Sequence, residues 1–176
     1  ADVRAEFGTI AWSNGKDSEL RGERPYAQAS VLYDVLNRVA LDARLGKANA
    51  YEVDLAVAHL AYARAGDLLT MDRNYPSYRM LAELGDGQHD FAIRCSSASF
   101  GTARRMLKGE GADSQVVALA PCAEQMPQIR NLDLPVPLTV RFVRVILSTG
   151  EYEVLVTSLL DECLYPTESF LELYRL

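Results

Sequence analysis

The residue best placed to do chemistry is Asp72, which closes the short apolar run Leu68 to Met71 and is followed at once by Arg73 and Asn74. Pro76 comes shortly after, and its fixed φ suits the first turn of a helix, so the spacing predicts a strand, a carboxylate and then a helix. In open α/β sheets that carboxyl edge is where ligands bind, because loops and helix N-termini converge there. An aspartate in the same position also serves commonly as a helix cap or turn former.

Other side chains invite a chemical reading with a plain alternative beside each. Arg73 and Arg94 suit contact with phosphate, and each could instead pair with an acid such as Asp90. Arg104, Arg105 and Lys108 cluster on one short helix, a solvated face or a track for DNA. Tyr174 lies on the apolar side of a helical pattern, where periodicity alone makes it a core aromatic. His59 and His89 are isolated and read as packed or surface residues. The 3 cysteines, Cys95, Cys122 and Cys163, are odd in number and far apart. They give neither a disulfide framework nor a thiolate zinc site, and read as small buried apolar groups.

The elements that must position these residues follow from pattern. Residues 1 to 27 hold Gly8, Gly15, Gly22 and Pro25 without sustained periodicity and read as a loop. Ala27 to Tyr33 and Val39 to Leu45 read as strands joined by the turn residues Asp34 to Asn37, a β-hairpin. Asn49 and Glu52 resemble a capping box, after which Val53, Val57, Leu60 and Ala61 share a helical face as far as Arg64, and Gly66 ends the helix. The Leu68 to Met71 strand, a helix from Pro76 to Leu84 ending at Gly85 and Gly87, and a strand from Asp90 to Cys95 come next. This order predicts an α/β mixed sheet in which the antiparallel hairpin feeds a parallel crossover to the Asp72 strand. From Phe100 onward a short basic helix, the run Gln115 to Leu119, a link rich in Pro, Gln and Asn (Pro121 to Pro137) and two strands, Leu138 to Leu147 and Tyr152 to Leu159, predict a β-rich insertion at about 100–160 beside the core. Thr167 to Leu176 reads as a helix without a C-cap residue after it, so the expectation is a chain cut within that helix.

Composition narrows the class. A length of 176 residues suits one sizeable core, so residues 1–176 are expected to form a single domain. With 49% hydrophobic and 24% charged residues, the mixture is that of an ordinary globular protein. No window is long and apolar enough for a membrane span, and Asp2, Arg4 and Glu6 interrupt any secretory leader in Ala1 to Asn14, so the expected location is cytoplasmic. A net charge of −6 argues against binding nucleic acid through bulk electrostatics alone. The charge is uneven, though: residues 101–150 carry 6 basic and 4 acidic side chains, whereas residues 151–176 carry 6 acids and only Arg175. A basic face opposite an acidic one is compatible with that split.

Three stretches together resemble a known family. ASVLYDVLNRVALDARLG looks like the second and third strands of an RNase H-like core, and LLTMDRNYPSY looks like the strand that carries a second catalytic aspartate. RVILSTGEYEVLVTSLLDECLYPTESFLELYRL looks like the approach to a closing signature of tyrosine, arginine three residues later and glutamate four beyond that. This combination resembles the DDE transposases of bacterial insertion sequences, specifically the large fourth insertion-sequence family, over most of the chain. Tyr174 falls on the signature tyrosine. The signature arginine and glutamate would lie after Leu176, and the family's first aspartate before Ala1; Asp2 is not a substitute for it. Asn74 stands where glycine is frequent in such proteins, a departure that leaves Asp72 undisturbed.

The resemblance implies an RNase H-like α/β fold and a parent enzyme, working as a homo-dimer, that nicks transposon ends and joins the freed 3′ hydroxyls to target DNA. Chemistry of that class uses carboxylates to hold two divalent ions about 3.5–4 Å apart, and hard oxygen ligands suit Mg²⁺ or Mn²⁺. It implies that Asp72 binds these ions and that Tyr174 contacts the DNA end near the active site; Arg73, Arg94, Arg104 and Arg105 are the arginines expected from their own chemistry to contact DNA, and no membrane is expected. With one carboxylate of the three, the isolated chain is expected to be inactive. Two other classes stay open: a non-catalytic DNA-binding or interaction module on the same fold, and an Asp-dependent metal phosphohydrolase with a doubly wound sheet, parallel throughout, in which Asp72 is the nucleophile.

Overall fold

The computed structural model describes residues 2–12 and 22–173. They fall into two compact units, residues 1–62 and 63–176, each with its own sheets.

In the first unit, a short helix α1 (Val3–Phe7) is capped by Asp2, whose carboxylate accepts from the Arg4 N–H. Strands β1 (Thr9–Trp12) and β2 (Gly22–Pro25) then pair antiparallel as a two-stranded ribbon. Sequence pattern predicts a loop here because all of β2 and the second half of β1 are exposed, so no apolar alternation marks the ribbon. Strands β3 (Gln28–Asp34) and β4 (Val39–Gly46) form the expected hairpin, in register from Gln28 opposite Gly46 to Asp34 opposite Val39. Asp34 builds its turn, accepting from Leu36 N (3.0 Å), Asn37 N (2.9 Å) and Asn37 Nδ2 (2.7 Å). Helix α2 (Glu52–His59) starts after Tyr51, not at an Asn49 capping box. It covers the hairpin face that carries Ser30 and Asp42, while Val31, Leu41 and Leu45 stay exposed.

The second unit is a five-stranded mixed sheet with flanking helices, in the order β5-β6-β9-β8-β7. Strand β5 (Leu68–Met71) runs parallel to β6 (Asp90–Arg94), and helix α3 (Tyr78–Asp86) makes the crossover between them. Ser77 caps α3 by accepting from Met80 N at 3.2 Å. After α4 (Gly101–Leu107) come β7 (Ser114–Leu119), α5 (Met126–Asn131), β8 (Leu138–Ile146), β9 (Tyr152–Thr157) and α6 (Ser169–Leu173). All pairings other than β5 with β6 are antiparallel.

Two sequence expectations are corrected here. The β3–β4 hairpin forms a sheet of its own and does not lead into the sheet that holds β5. Nor do the strands after residue 100 form an insertion beside the core: β9 lies at the centre of the sheet, hydrogen-bonded between β6 and β8. The physical signal is burial on both faces. Glu153 to Thr157 are 5% exposed or less, and such continuously buried runs belong to central strands.

Register assigns the two sheet faces. Ala92, Leu155 and Val143 lie on one face and are covered by Phe170 of α6. Ile93, Val156 and Phe142 lie on the other, where Phe100 at the start of α4 meets Phe142 edge-on at 5.7 Å between ring centres. Two buried arginines of β8 fasten loops to this sheet. Arg141 donates to Ser114 Oγ (2.8 Å) and to the Tyr165 carbonyl (2.7 Å), with its guanidinium 5.6 Å from the Phe170 ring. Arg144, on the opposite face, grips the turn after α4 through Asp113 (2.6 Å) and the carbonyls of Met106, Glu110 and Gly111.

Candidate functional site

Asp72 directly follows β5, and its side chain is 65% exposed. Its Oδ1 accepts from the next residue's N–H, Arg73 N, at 2.7 Å, and its carbonyl accepts from Tyr75 N at 3.2 Å, which turns the chain toward α3. The cap of α3 is Ser77, so Asp72 is not the helix cap that its position before the helix allowed.

Alternation places Asp72 on the same sheet face as Arg94 and α6, because Thr70 pairs with Ala92 and each lies two residues upstream of Asp72 and Arg94. Arg94, the last residue of β6, brings one terminal nitrogen to 3.8 Å from Asp72 Oδ1 and another to 2.5 Å from Glu153 Oε2. Arg73 reaches the same Glu153 oxygen at 3.4 Å. Asp90, the acid open to either arginine as an alternative partner, accepts from Ser158 Oγ at 2.8 Å. The result is a cluster of two carboxylates and two guanidiniums, with Glu153 only 7% exposed at its side chain.

Beside this cluster lies a cavity of about 260 Å³, lined by Arg94 and Glu153, by Ser148 and Thr149 of the β8–β9 turn, and by Phe170 and Leu171 of α6. No family model matches the chain, and no curated protein or solved structure matches it either.

The remaining predicted residues are not brought to this place. Arg104 and Arg105 are exposed on α4, which packs on the opposite sheet face. Tyr174 lies outside the described residues. Of the basic residues that made residues 101–150 look like a positive face, Arg141 and Arg144 are buried structural groups, 0% and 9% exposed. Sequence reasoning missed Glu153, whose signal is an acid inside the otherwise apolar strand YEVLV; buried carboxylates need cationic partners.

As a metal centre the cluster is incomplete. Among the described residues no group of three His, Cys, Asp or Glu side chains could hold a metal ion. Asp72 offers one hard oxygen donor, and the second nearby carboxylate, Glu153, is engaged by Arg94 and Arg73. The residues present do not by themselves satisfy a divalent ion, which needs several oxygen ligands.

The first unit contains a second polar constellation that was not anticipated. His59 Nδ1 lies 2.8 Å from Asp42 Oδ2 and its Nε2 lies 3.0 Å from Ser30 Oγ. Arg44 Nε donates to the same Asp42 oxygen at 2.7 Å. Burial pushes the Asp42 carboxyl up, but the hydrogen bonds and charges of His59 and Arg44 outweigh it and hold the group below 3.8. The connectivity is that of a hydrolytic serine–histidine–aspartate relay. Ser30 and His59 are nevertheless only 9% and 4% exposed, and the network fastens α2 to the hairpin.

Proposed function

We propose that this chain is the part of a DNA-cleaving and DNA-joining transposase that carries its second catalytic carboxylate, Asp72, on an RNase H-like sheet. The observation that carries this reading is the presentation of Asp72. It is an exposed carboxylate at the end of the edge strand β5, on the face covered by α6, flanked by two arginines and not used to cap the following helix. Within the reading, Asp72 supplies one oxygen ligand to Mg²⁺ or Mn²⁺, and two further carboxylates called for by the resemblance, which the described residues do not supply, complete the site. Arg73 and Arg94 meet the phosphate backbone of DNA, as a planar donor fork is suited to do. The edge position of β5 leaves room for a first, aspartate-bearing strand to pair on its other side. A homo-dimer at paired transposon ends belongs to the same proposal.

The reading is tested by plasmid nicking in Mn²⁺. The chain alone leaves supercoiled DNA intact. Joined to flanking segments that supply an aspartate strand before it and a glutamate helix after it, the chain nicks, and Asp72→Asn abolishes the nicking; cleavage that survives Asp72→Asn overturns the assignment. Of the alternatives, a doubly wound phosphohydrolase is disfavoured by the sheet, in which only β5 and β6 are parallel.

A further inference from the structure

Glu153 stands in the most apolar part of the sheet: Val154, Leu155 and Val156 beside it are 0%, 1% and 0% exposed. A carboxylate buried there is tolerated only when cations reach it. Two do, from separate elements: Arg94 from the end of β6 at 2.5 Å and Arg73 from the β5–α3 connection at 3.4 Å. Arg94 therefore has two carboxylates within reach, since Asp72 lies 3.8 Å from its other terminal nitrogen. Water decides between them. The Asp72 side chain is 65% exposed and that of Glu153 is 7% exposed, so attraction to Asp72 is screened far more strongly.

Resting on the transposase reading above, we propose that Glu153 is a positioning residue that gathers Arg73 and Arg94 into one fork for a DNA phosphate and keeps Arg94 from closing onto the Asp72 carboxylate. It is not a catalytic carboxylate, because its burial and its two arginine partners withdraw it from solvent. The neighbouring cavity of about 260 Å³, with the Ser148 and Thr149 side of the β8–β9 turn in its wall, leaves space on the same face for the group that the fork receives. Fixing two long side chains before binding lowers the ordering cost that DNA would otherwise meet.

The test exploits a difference of sign. Glu153→Gln removes a negative charge from beside the site while preserving side-chain size, so electrostatics alone predicts tighter DNA binding, whereas loss of positioning predicts weaker binding. The expected result, read by fluorescence anisotropy with a labelled duplex at fixed salt, is a Kd raised about fivefold. Arg94→Lys, which keeps the charge but loses the planar fork, weakens binding similarly and covers the case in which Glu153→Gln fails to fold. Arginine side-chain NMR supplies a readout independent of DNA: the guanidinium signals of Arg94 are resolved and slowly rotating in the unmodified chain, averaged in Glu153→Gln and unchanged in Asp72→Asn. Tighter DNA binding by Glu153→Gln, or Arg94 signals that survive Glu153→Gln and collapse in Asp72→Asn, overturns the proposal. An unmodified chain that binds no DNA, with Arg94 signals lost in Glu153→Gln, upholds the gathering role and overturns the DNA reading on which the fork's purpose rests.

Discussion

Replacing Arg144 by methionine isolates what a buried guanidinium contributes to this fold. The guanidinium lies over the Tyr152 ring at 5.0 Å, so the change removes this cation–π contact, worth about 0.5 kcal/mol, along with hydrogen bonds and charge. Three carbonyl acceptors lose a donor: Met106 at 3.0 Å, Glu110 at 3.2 Å and Gly111 at 3.0 Å. Glu110 and Gly111 are exposed, and water can replace the arginine there at a cost of about 0.5 kcal/mol each. Met106 is 0% exposed, but its carbonyl also accepts from Gly109 N at 2.9 Å, so losing the arginine there costs about 1 kcal/mol. Asp113 loses an ion pair, but its side chain is 64% exposed and the loss is worth about 0.5 kcal/mol. Together these give a destabilisation of about 3 kcal/mol, a large share of the roughly 5–15 kcal/mol typical of a domain. Urea unfolding followed by far-ultraviolet circular dichroism measures it, with Asp113→Asn as the control expected to cost under about 1 kcal/mol. A shift for Arg144→Met no larger than that of Asp113→Asn would refute the reasoning, because the carbonyl grip on the turn after α4 would then contribute nothing.

Three other outcomes follow from the same structure. Cys95 is buried, with its thiol pushed up to about 12 mainly by burial, whereas Cys122 and Cys163 are exposed. An aromatic disulfide reagent at pH 8 is therefore expected to titrate two thiols in the native chain and the third only after denaturation; rapid reaction of all three would contradict the burial. Asp42 is held below 3.8 in the folded chain, so the stability it confers is present above that ordinary value and is lost as pH falls through the lower folded value. The urea midpoints of Asp42→Asn and the unmodified chain should differ at pH 6 and converge as pH falls through the lowered folded-state value. Ser77→Ala should cost about 1 kcal/mol by uncapping α3, whereas Asp72→Ala should leave the urea midpoint unchanged. A loss on Asp72→Ala equal to that on Ser77→Ala would restore the helix-cap reading of Asp72.

What was legible in the sequence is what local pattern dictates. The Asp34 to Asn37 turn, the strand before Asp72, the helix after it and the strand ending at Arg94 all announce themselves through turn chemistry and periodicity, and all appear within a few residues of their expected bounds. Sheet membership is not local. Strands β8 and β9 were visible as strands, yet whether they pair with β6 or stand apart depends on long-range hydrogen bonds that no window of sequence contains. The capping-box pattern at Asn49 failed for a related reason: Ala50 N bonds back to the Lys47 carbonyl, so the chain turns there and the helix begins after Tyr51. Within the candidate site, Asp72 and Arg94 could be named from their positions at strand ends. Glu153, which joins them, is distant in sequence and becomes visible only when β9 is set beside β6.

The arginines show why charge counting in the sequence misleads about function. Arg94, Arg141 and Arg144 are the same residue type on strands of the same sheet, but only Arg94, with a side chain 29% exposed, lies at a strand end. Arg141 and Arg144 sit in β8, where the neighbouring strands exclude water; Arg144 and the Nε and Nη1 of Arg141 bond to protein acceptors, while Arg141 Nη2 is buried without one among the described residues, and both side chains act as internal fasteners for loops. At the end of β6 the same group is partly exposed, with one terminal nitrogen held by Glu153 and another 3.8 Å from Asp72. With a net charge of −6, and with two arginines of its most basic stretch turned inward, this chain has little bulk attraction for a polyanion. On the proposed reading, recognition of DNA therefore comes from a few arginines fixed in place rather than from many mobile ones, and the cluster around Asp72 is where two arginines converge.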